Sequence, residues 1–366
     1  MAGRHGRQPA RRRPHPRGRA QPRLGLPGAG PAPEWTTLYP YLLERLVHWY
    51  DLPELAGRHL PHVLRYLDHE LGRLSSEGLS SGVLGDYLAP GERGTPSRDD
   101  LRMAASCYLY RALTLTADLI ERVGWSDPDG SDQVTRLRRA AASLARAVDE
   151  VFLDRERGCY TSEREPAYRQ TTNVLPVAMG ITPTDQVQRV VDRLAADLRE
   201  RGAHHDAGCL GLSELFGVLT AHGHADLALE VATQRTAPGW GAWMLAGHTT
   251  MLEMWGDESR SLDHYFMGAM AAWLYDSVAG VRLLAPGWRE FAVEPGQVPV
   301  DSAAFHYQGP HGRLGAAWRR SDDVLTVTVT VPPGSRARLH LPGREPSWLP
   351  EGEWTETAAL TASPAR

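Results

Sequence analysis

The residues best suited to chemistry are concentrated between Gly239 and Gly268. This stretch holds three Trp, two His and four acidic residues among several glycines. Aromatic rings stack on the apolar C–H faces of a pyranose, and carboxylates perform the acid and base steps of glycosidic cleavage. The composition therefore indicates a carbohydrate site. Taken alone, Glu253, between Met251 and Trp255, is also compatible with a purely structural carboxylate.

A second patch of this kind covers residues 82–91 and reads Gly-Val-Leu-Gly-Asp-Tyr-Leu-Ala-Pro-Gly. It is predicted to be a loop in which Asp86 stands beside an aromatic residue, Tyr87. An aspartate in such a loop is commonly a turn former, because its side chain bonds to nearby backbone groups. From the residues alone, structural roles are as admissible here as sugar contacts, and the same holds for Trp35 and His264.

His204, His205 and Asp206 stand in a row, which invites a metal interpretation. The motif follows a predicted helix, and further ligands at suitable spacing are lacking. We therefore expect a solvated loop, with neither metal nor cofactor. The sequence also lacks a phosphate loop, a dinucleotide fingerprint, a His-Glu-x-x-His helix and a Gly-x-Ser-x-Gly elbow, so phosphate, nicotinamide and serine-hydrolase chemistry lose their support.

Composition limits the partners and the compartment. The 366 residues are 42% hydrophobic and 23% charged, with a net charge of -4. Residues 1–33 hold eight Arg and no acid, so the remainder is more acidic than this average and argues against nucleic acid as a partner. No apolar run reaches about 18 residues, so no membrane span is predicted. The three cysteines are odd in number and far apart, which favours a reducing compartment and predicts a cytoplasmic protein.

The chain divides into three segments. Residues 1–33, rich in Arg and Pro, lack an apolar period and are predicted to be a disordered tail. Residues 34–285 show a helical period and predict about ten helices, paired as antiparallel hairpins. Apolar stripes place these helices near residues 42–50, 60–74, 101–119, 134–148, 173–179, 184–198, 210–221, 224–234, 248–256 and 265–279.

The last segment, residues 286–366, follows a period of two. Leu325, Val327 and Val329 alternate with threonines, as in a half-buried strand, and residues 308–312 read as a hairpin turn. A small antiparallel β-sandwich is predicted for this segment.

Four short stretches together resemble one family. They are Pro33-Glu34-Trp35, Gly85-Asp86-Tyr87, Thr249-Thr250-Met251-Leu252-Glu253-Met254-Trp255, and Ser261-Leu262-Asp263-His264 followed by Trp273-Leu274-Tyr275 and Pro286-Gly287-Trp288. By the order and spacing of these stretches, residues 35–342 resemble the α-L-rhamnosidases of glycoside hydrolase family 78.

The resemblance implies a mainly α protein, with an (α/α)6 six-hairpin barrel that is incomplete here and a β-sandwich after it. It also implies inverting, metal-free hydrolysis of terminal α-L-rhamnosides, so the expected partner is a rhamnose-containing glycoside or oligosaccharide. Glu253 occupies the position of the family's general base, and His264 that of a histidine that contacts the sugar. The further expected substrate-binding residues are Trp35, Asp86, Tyr87 and Trp255.

The sequence departs from the family pattern where chemistry is concerned. Leu252 and Tyr87 stand where the family usually has Trp. The family's general acid belongs to a segment before the position of Trp35, and this chain has only the Arg- and Pro-rich tail there. The carboxylates that could replace the acid are Asp86, Asp257 and Asp263. A catalytically silent, sugar-binding remnant and another (α/α)6 carbohydrate-active enzyme are the alternatives. An incomplete barrel exposes apolar faces, so an oligomer is compatible with the sequence.

Overall fold

The computed structural model describes residues 32–92, 97–127, 130–256 and 259–360, so most of the predicted tail lies outside the described residues. The chain is helical up to residue 278. The helices are α1 (Pro33–Thr36), α2 (Leu38–Tyr50), α3 (Pro53–Leu71), α4 (Leu101–Val123), α5 (Gln133–Phe152), α6 (Gln170–Ala178), α7 (Thr184–Glu200), α8 (Cys209–Ala221), α9 (Ala225–Ala232), α10 (Trp240–Leu245) and α11 (Met270–Trp273).

Consecutive helices pack as hairpins, and the hairpins stand side by side. The pairs are α2 with α3, α4 with α5, α6 with α7, and α8 with α9. The first member of each pair also contacts the first member of the next pair, and α8 contacts α11. Helices α2, α4, α6, α8 and α11 therefore form an inner row, and α3, α5, α7 and α9 cover it from outside.

The local sequence accounts for the buried faces and the starting points of these helices. In α7 the side chains of Val190, Val191 and Leu194 recur on one face and are fully buried. Helices α4 and α5 begin at aspartates whose side chains accept a hydrogen bond from the first turn: Asp100 from the Arg102 amide and Asp132 from the Thr135 amide, each at 3.0 Å.

Two four-stranded sheets follow the helices. Their strands are β3 (Val281–Ala285), β4 (Glu290–Val293), β5 (Ser302–Gly309), β6 (Gly312–Ser321), β7 (Val324–Val331), β8 (Arg336–Leu339), β9 (Ser347–Leu349) and β10 (Gly352–Ala359), whereas β1 (Leu153–Asp154) and β2 (Cys159–Tyr160) form a small hairpin between α5 and α6. The sheet orders are β10-β7-β6-β5 and β3-β4-β8-β9, and their facing side chains form one core. Pairing is antiparallel except between β4 and β8, which run parallel.

The structure corrects three details of the prediction. Residues 248–256 form no helix, and the predicted helix 265–279 is divided into a 3-10 turn (Tyr265–Gly268), the short α11 and a π turn (Leu274–Val278). Strand β3 precedes residue 286, so the β-region begins earlier than the predicted boundary. Among the described residues, no helix is long and apolar enough to cross a membrane.

Candidate active site

The predicted site residues all lie at one end of the inner row of helices. Each inner helix is followed by an outer helix that returns, so the inner helices run in the same direction and the loops before them meet at one end. Trp35 lies at the start of this row, and residues 82–92 precede α4. Residues 202–208 precede α8, and residues 246–264 precede the turn that leads into α11.

Glu253 is held by an arginine from its own loop. The Arg260 guanidinium Nη2 lies 2.7 Å from Glu253 Oε1 and donates to the Tyr87 hydroxyl at 2.5 Å. The Glu253 side chain is 11% exposed, whereas the Arg260 side chain is 54% exposed. One cation therefore connects the predicted base to an aromatic ring of another loop. Arg260 is a member of the site that the sequence did not reveal, since no motif marks it.

The backbone around Glu253 is fixed by a serine-rich turn instead of a helix. The Glu253 amide donates to the Ser261 carbonyl at 3.0 Å and to Ser259 Oγ at 3.1 Å, and the Met254 amide donates to the same Oγ at 3.2 Å. The His264 amide donates to the Met251 carbonyl at 2.7 Å. These bonds replace the ladder that the predicted helix over 248–256 would have formed.

An aromatic wall is connected to Glu253 through Arg260. The ring centroids of Trp35 and Tyr87 are 6.4 Å apart, those of Trp35 and Phe266 5.1 Å, and those of Phe266 and His264 4.5 Å. Trp35 Nε1 and His264 Nε2 have no hydrogen-bond partner among the described residues. Aromatic faces with free polar edges suit a ring that is apolar on its face and polar on its rim.

A cavity of about 490 Å³ opens beside this wall. Trp35, Tyr265 and Phe266 line one side of it, and Arg111 and Leu210 line another. A volume of this size falls in the range of small-molecule sites, which are mostly apolar with a few polar groups.

Glu34 fastens two of the loops together. Its Oε1 accepts the backbone amides of Val83 and Leu84, each at 2.7 Å, and of Gly85 at 3.0 Å. The residue is only 3% exposed, and it also contributes to the lining of the cavity beside Trp35. A carboxylate that accepts several backbone amides is a strong local anchor, and here it positions Trp35 against the loop that carries Tyr87.

Asp86 is an architectural residue in this structure. It is fully buried, and its carboxylate accepts the amides of Gly208 at 2.6 Å, Leu210 at 2.8 Å and Gly211 at 3.1 Å, as well as the Thr171 hydroxyl. Burial raises the pKa of Asp86, and these donors oppose that rise. The carboxylate thus caps α8, and its placement disagrees with the predicted sugar contact because it is fully buried and both of its oxygens accept hydrogen bonds from the protein.

Trp255 belongs to the core behind Glu253. Its ring stacks on Trp243 with a centroid distance of 4.4 Å and an interplanar angle of 15°, and it meets Trp240 edge-on at 5.3 Å. His205 packs against the same ring at 4.7 Å. Trp255 is only 8% exposed, so the structure places it as support for the loop and not as the predicted sugar contact.

The expectation of a solvated loop at residues 204–206 is wrong. His205 is 2% exposed and Asp206 is 7% exposed. Burial lowers the pKa of His205 to about 4, with a smaller opposing effect from its bond to the Ala207 carbonyl. Among the described residues, no three His, Cys, Asp or Glu side chains are grouped as a metal site would require.

A buried ionic cluster joins three loops at this end. Arg169 Nε lies 2.5 Å from Asp99, and its Nη1 lies 3.1 Å from Asp206, which also pairs with Arg201 at 3.4 Å. Burial and the nearby Asp86 raise the pKa of Asp99 to about 7, against the lowering effect of Arg169. Asp99, Arg169 and Asp206 are far apart in sequence, and of the three only Asp206 belongs to a motif that the sequence singled out.

Helical hairpins packed side by side and followed by a β-sandwich are the architecture of a six-hairpin glycosidase. The chain belongs to the family of the bacterial alpha-L-rhamnosidase 6 hairpin glycosidase domain, whose model matches residues 14–278. The bacterial alpha-L-rhamnosidase C-terminal domain matches residues 280–353. The six-hairpin fold and the C-terminal β-domain that the sequence predicts are thereby confirmed.

Longer proteins share this region. An alpha-L-rhamnosidase of Streptomyces avermitilis is 28% identical over 298 residues, which are 77% of this chain and 26% of that protein. The alpha-L-rhamnosidase structure from Dictyoglumus thermophilum superposes with a TM-score of 0.78 at 24% identity, over 85% of this chain and 35% of that one. The S. avermitilis structure complexed with L-rhamnose gives 0.77 at 22% identity, over 88% and 33%. The chain thus spans about a quarter to a third of these relatives, and the structural likenesses show the fold.

Proposed function

We propose that this chain carries the catalytic region of an α-L-rhamnosidase that hydrolyses terminal α-L-rhamnosides with inversion, and that Glu253 is the general base. The observation that carries the proposal is the position of Glu253. It is a nearly buried carboxylate, held by Arg260, and the same guanidinium bonds to Tyr87 of the aromatic wall. Family membership and a relative that was complexed with L-rhamnose support the choice of sugar.

In this mechanism the rhamnose ring rests against the aromatic wall of Trp35, Tyr87 and Phe266. Glu253 takes a proton from a water molecule as that water attacks the anomeric carbon. A second carboxyl group protonates the leaving oxygen, and the two carboxyl groups of an inverting enzyme stand about 6.5–9.5 Å apart. No metal takes part in this scheme.

The general acid of this mechanism is not assigned to a residue. Asp86 is excluded because its carboxylate is enclosed by the start of α8. Asp257 lies outside the described residues. Asp263 is exposed on the same loop as Glu253. Because the general acid is not assigned to a residue, a second function deserves a test: a domain that binds rhamnose without cleaving it.

One experiment separates the two functions. The purified chain is incubated with an aryl α-L-rhamnoside, product anomers are followed by NMR, and L-rhamnose binding is measured by calorimetry. The proposal predicts release of the β-anomer first. An α-anomer product would contradict inversion, binding without release would favour the sugar-binding domain, and a folded chain that does neither would refute both functions.

We place the activity in the cytoplasm on the support of the three cysteines, which are free and buried.

A further inference from the structure

Arg260 makes the only connection that the described residues show between the Glu253 carboxylate and the aromatic wall. Its Nη2 approaches Glu253 Oε1 at 2.7 Å and the Tyr87 hydroxyl at 2.5 Å, and its Cζ lies 5.8 Å from the Tyr87 ring centroid. Tyr87 is 173 residues away in sequence. The contact therefore fixes the distance between two loops that no other side-chain bond of Glu253 connects.

The bond leaves one oxygen of Glu253 available. Among the described residues only Arg260 donates to this carboxylate, and it does so at Oε1. A general base needs one oxygen directed at the water and a fixed orientation of the carboxylate plane. A guanidinium on Oε1 meets the second requirement without blocking the first, because Oε2 keeps its lone pairs.

The chemistry of arginine suits this position better than that of lysine. A guanidinium is planar and carries several N–H groups in a fixed fork, so one group can serve a carboxylate and a phenol together. An ammonium on a flexible stem has no such preset geometry. The Arg260 side chain is half exposed, so the ion pair adds little to stability. Its main effect is to fix the orientation of the Glu253 carboxylate.

We infer that Arg260 is a positioning residue of the hydrolytic site, which orients Glu253 for attack by water through its shared contact with Tyr87. The inference rests on the proposed function. Misplacement of a catalytic group by about 1 Å can lower a rate by about 100-fold, so loss of Arg260 should lower kcat far more than it changes KM.

The test compares wild type, Arg260→Gln, Arg260→Lys and Arg260→Ala in aryl α-L-rhamnoside hydrolysis and in L-rhamnose binding. Arg336→Gln is the matched control, because Arg336 is equally exposed and pairs with Glu290 in the β-region. We expect Arg260→Gln to lose about 10- to 100-fold in kcat, with KM and rhamnose affinity changed by less than about threefold. Arg260→Lys should recover part of the loss, and added guanidinium chloride should restore part of the Arg260→Ala rate. Melting temperatures should stay close to that of the control.

The outcomes are distinct. An active wild type with an Arg260→Gln variant of equal kcat overturns the inference alone. An Arg260→Ala variant that guanidinium does not restore also contradicts it, as does a loss that appears in KM only. A wild type that hydrolyses nothing refutes the proposed function, and the positioning role falls with it.

Discussion

The loop that carries Asp86 and the loop that carries Glu253 lie at the same end of the helical region, but they are held in different ways. Asp86 is fully buried and takes four hydrogen bonds from distant parts of the chain. Within the part of the chain that the structure describes, Glu253 has a single side-chain partner, Arg260, which is half exposed. A carboxylate whose oxygens are all satisfied by the protein holds structure together, and one with an oxygen to spare is available for chemistry.

The largest expected effect is the loss of the anchored carboxylate. Asp86→Ala leaves three buried amides without an acceptor, and each such group is costly to leave unpaired. We expect unfolding free energy to fall by about 4 kcal/mol, measured by chemical denaturation. Asp301→Ala is the control, because Asp301 is exposed. A loss no larger than that of the control would show that Asp86 is not an anchor.

A second prediction concerns how the Glu253 loop is supported. Trp255→Ala removes the ring that stacks on Trp243 and should cost about 3–4 kcal/mol of stability. Trp35→Ala should cost less, because Trp35 is only partly buried, and should weaken L-rhamnose binding instead. Equal losses of stability in the two variants would contradict the assignment of one tryptophan to the core and the other to the sugar wall.

The third prediction is a pH dependence located at His205. Its pKa in the folded protein is about 4, below the ordinary value of 6.5. The unfolded state therefore binds the proton more readily, and stability is lost as the pH falls from about 6.5 to about 4, by roughly 3 kcal/mol at most.

The comparison that checks it uses His205→Gln and, as control, His340→Gln in the β-region, where the side chain is exposed. Unfolding free energies are measured at pH 7 and pH 4.5. The loss of stability between pH 7 and pH 4.5 should be smaller in His205→Gln than in wild type and unchanged in His340→Gln. Because the raised pKa of Asp99 makes stability rise on acidification, only the difference from wild type is informative. If His205→Gln lost as much stability on acidification as wild type, His205 would be excluded as the source of that loss.

These contrasts explain which features the sequence could predict. The hairpins follow from apolar stripes that are local, as in α7, and the strand β7 follows from its alternation. The helix predicted over residues 248–256 is wrong because Met251, Leu252, Met254 and Trp255 mimic the spacing of a helix, whereas the amides of Glu253 and Met254 donate to Ser259 and Ser261. Their burial comes from loop packing, which periodicity cannot detect.

The roles of single site residues depend on partners that are far away in sequence. The amides that enclose Asp86 lie 122 to 125 residues away, so no local pattern could tell a cap from a sugar contact. Arg260 reaches Tyr87 across 173 residues. The resemblance singled out Glu253 on a predicted helix, whereas its loop and its contact with Arg260 became visible only in three dimensions.

The central claim is that Glu253 performs chemistry and contributes little to stability. Its most direct test is the rate of aryl α-L-rhamnoside hydrolysis by Glu253→Gln, measured beside Glu290→Gln, whose carboxylate also pairs with a half-exposed arginine. We expect Glu253→Gln to lose about 100-fold or more, Glu290→Gln to match wild type, and both variants to stay within about 1 kcal/mol of its stability. A Glu253→Gln variant that hydrolyses the substrate as fast as wild type would contradict the account.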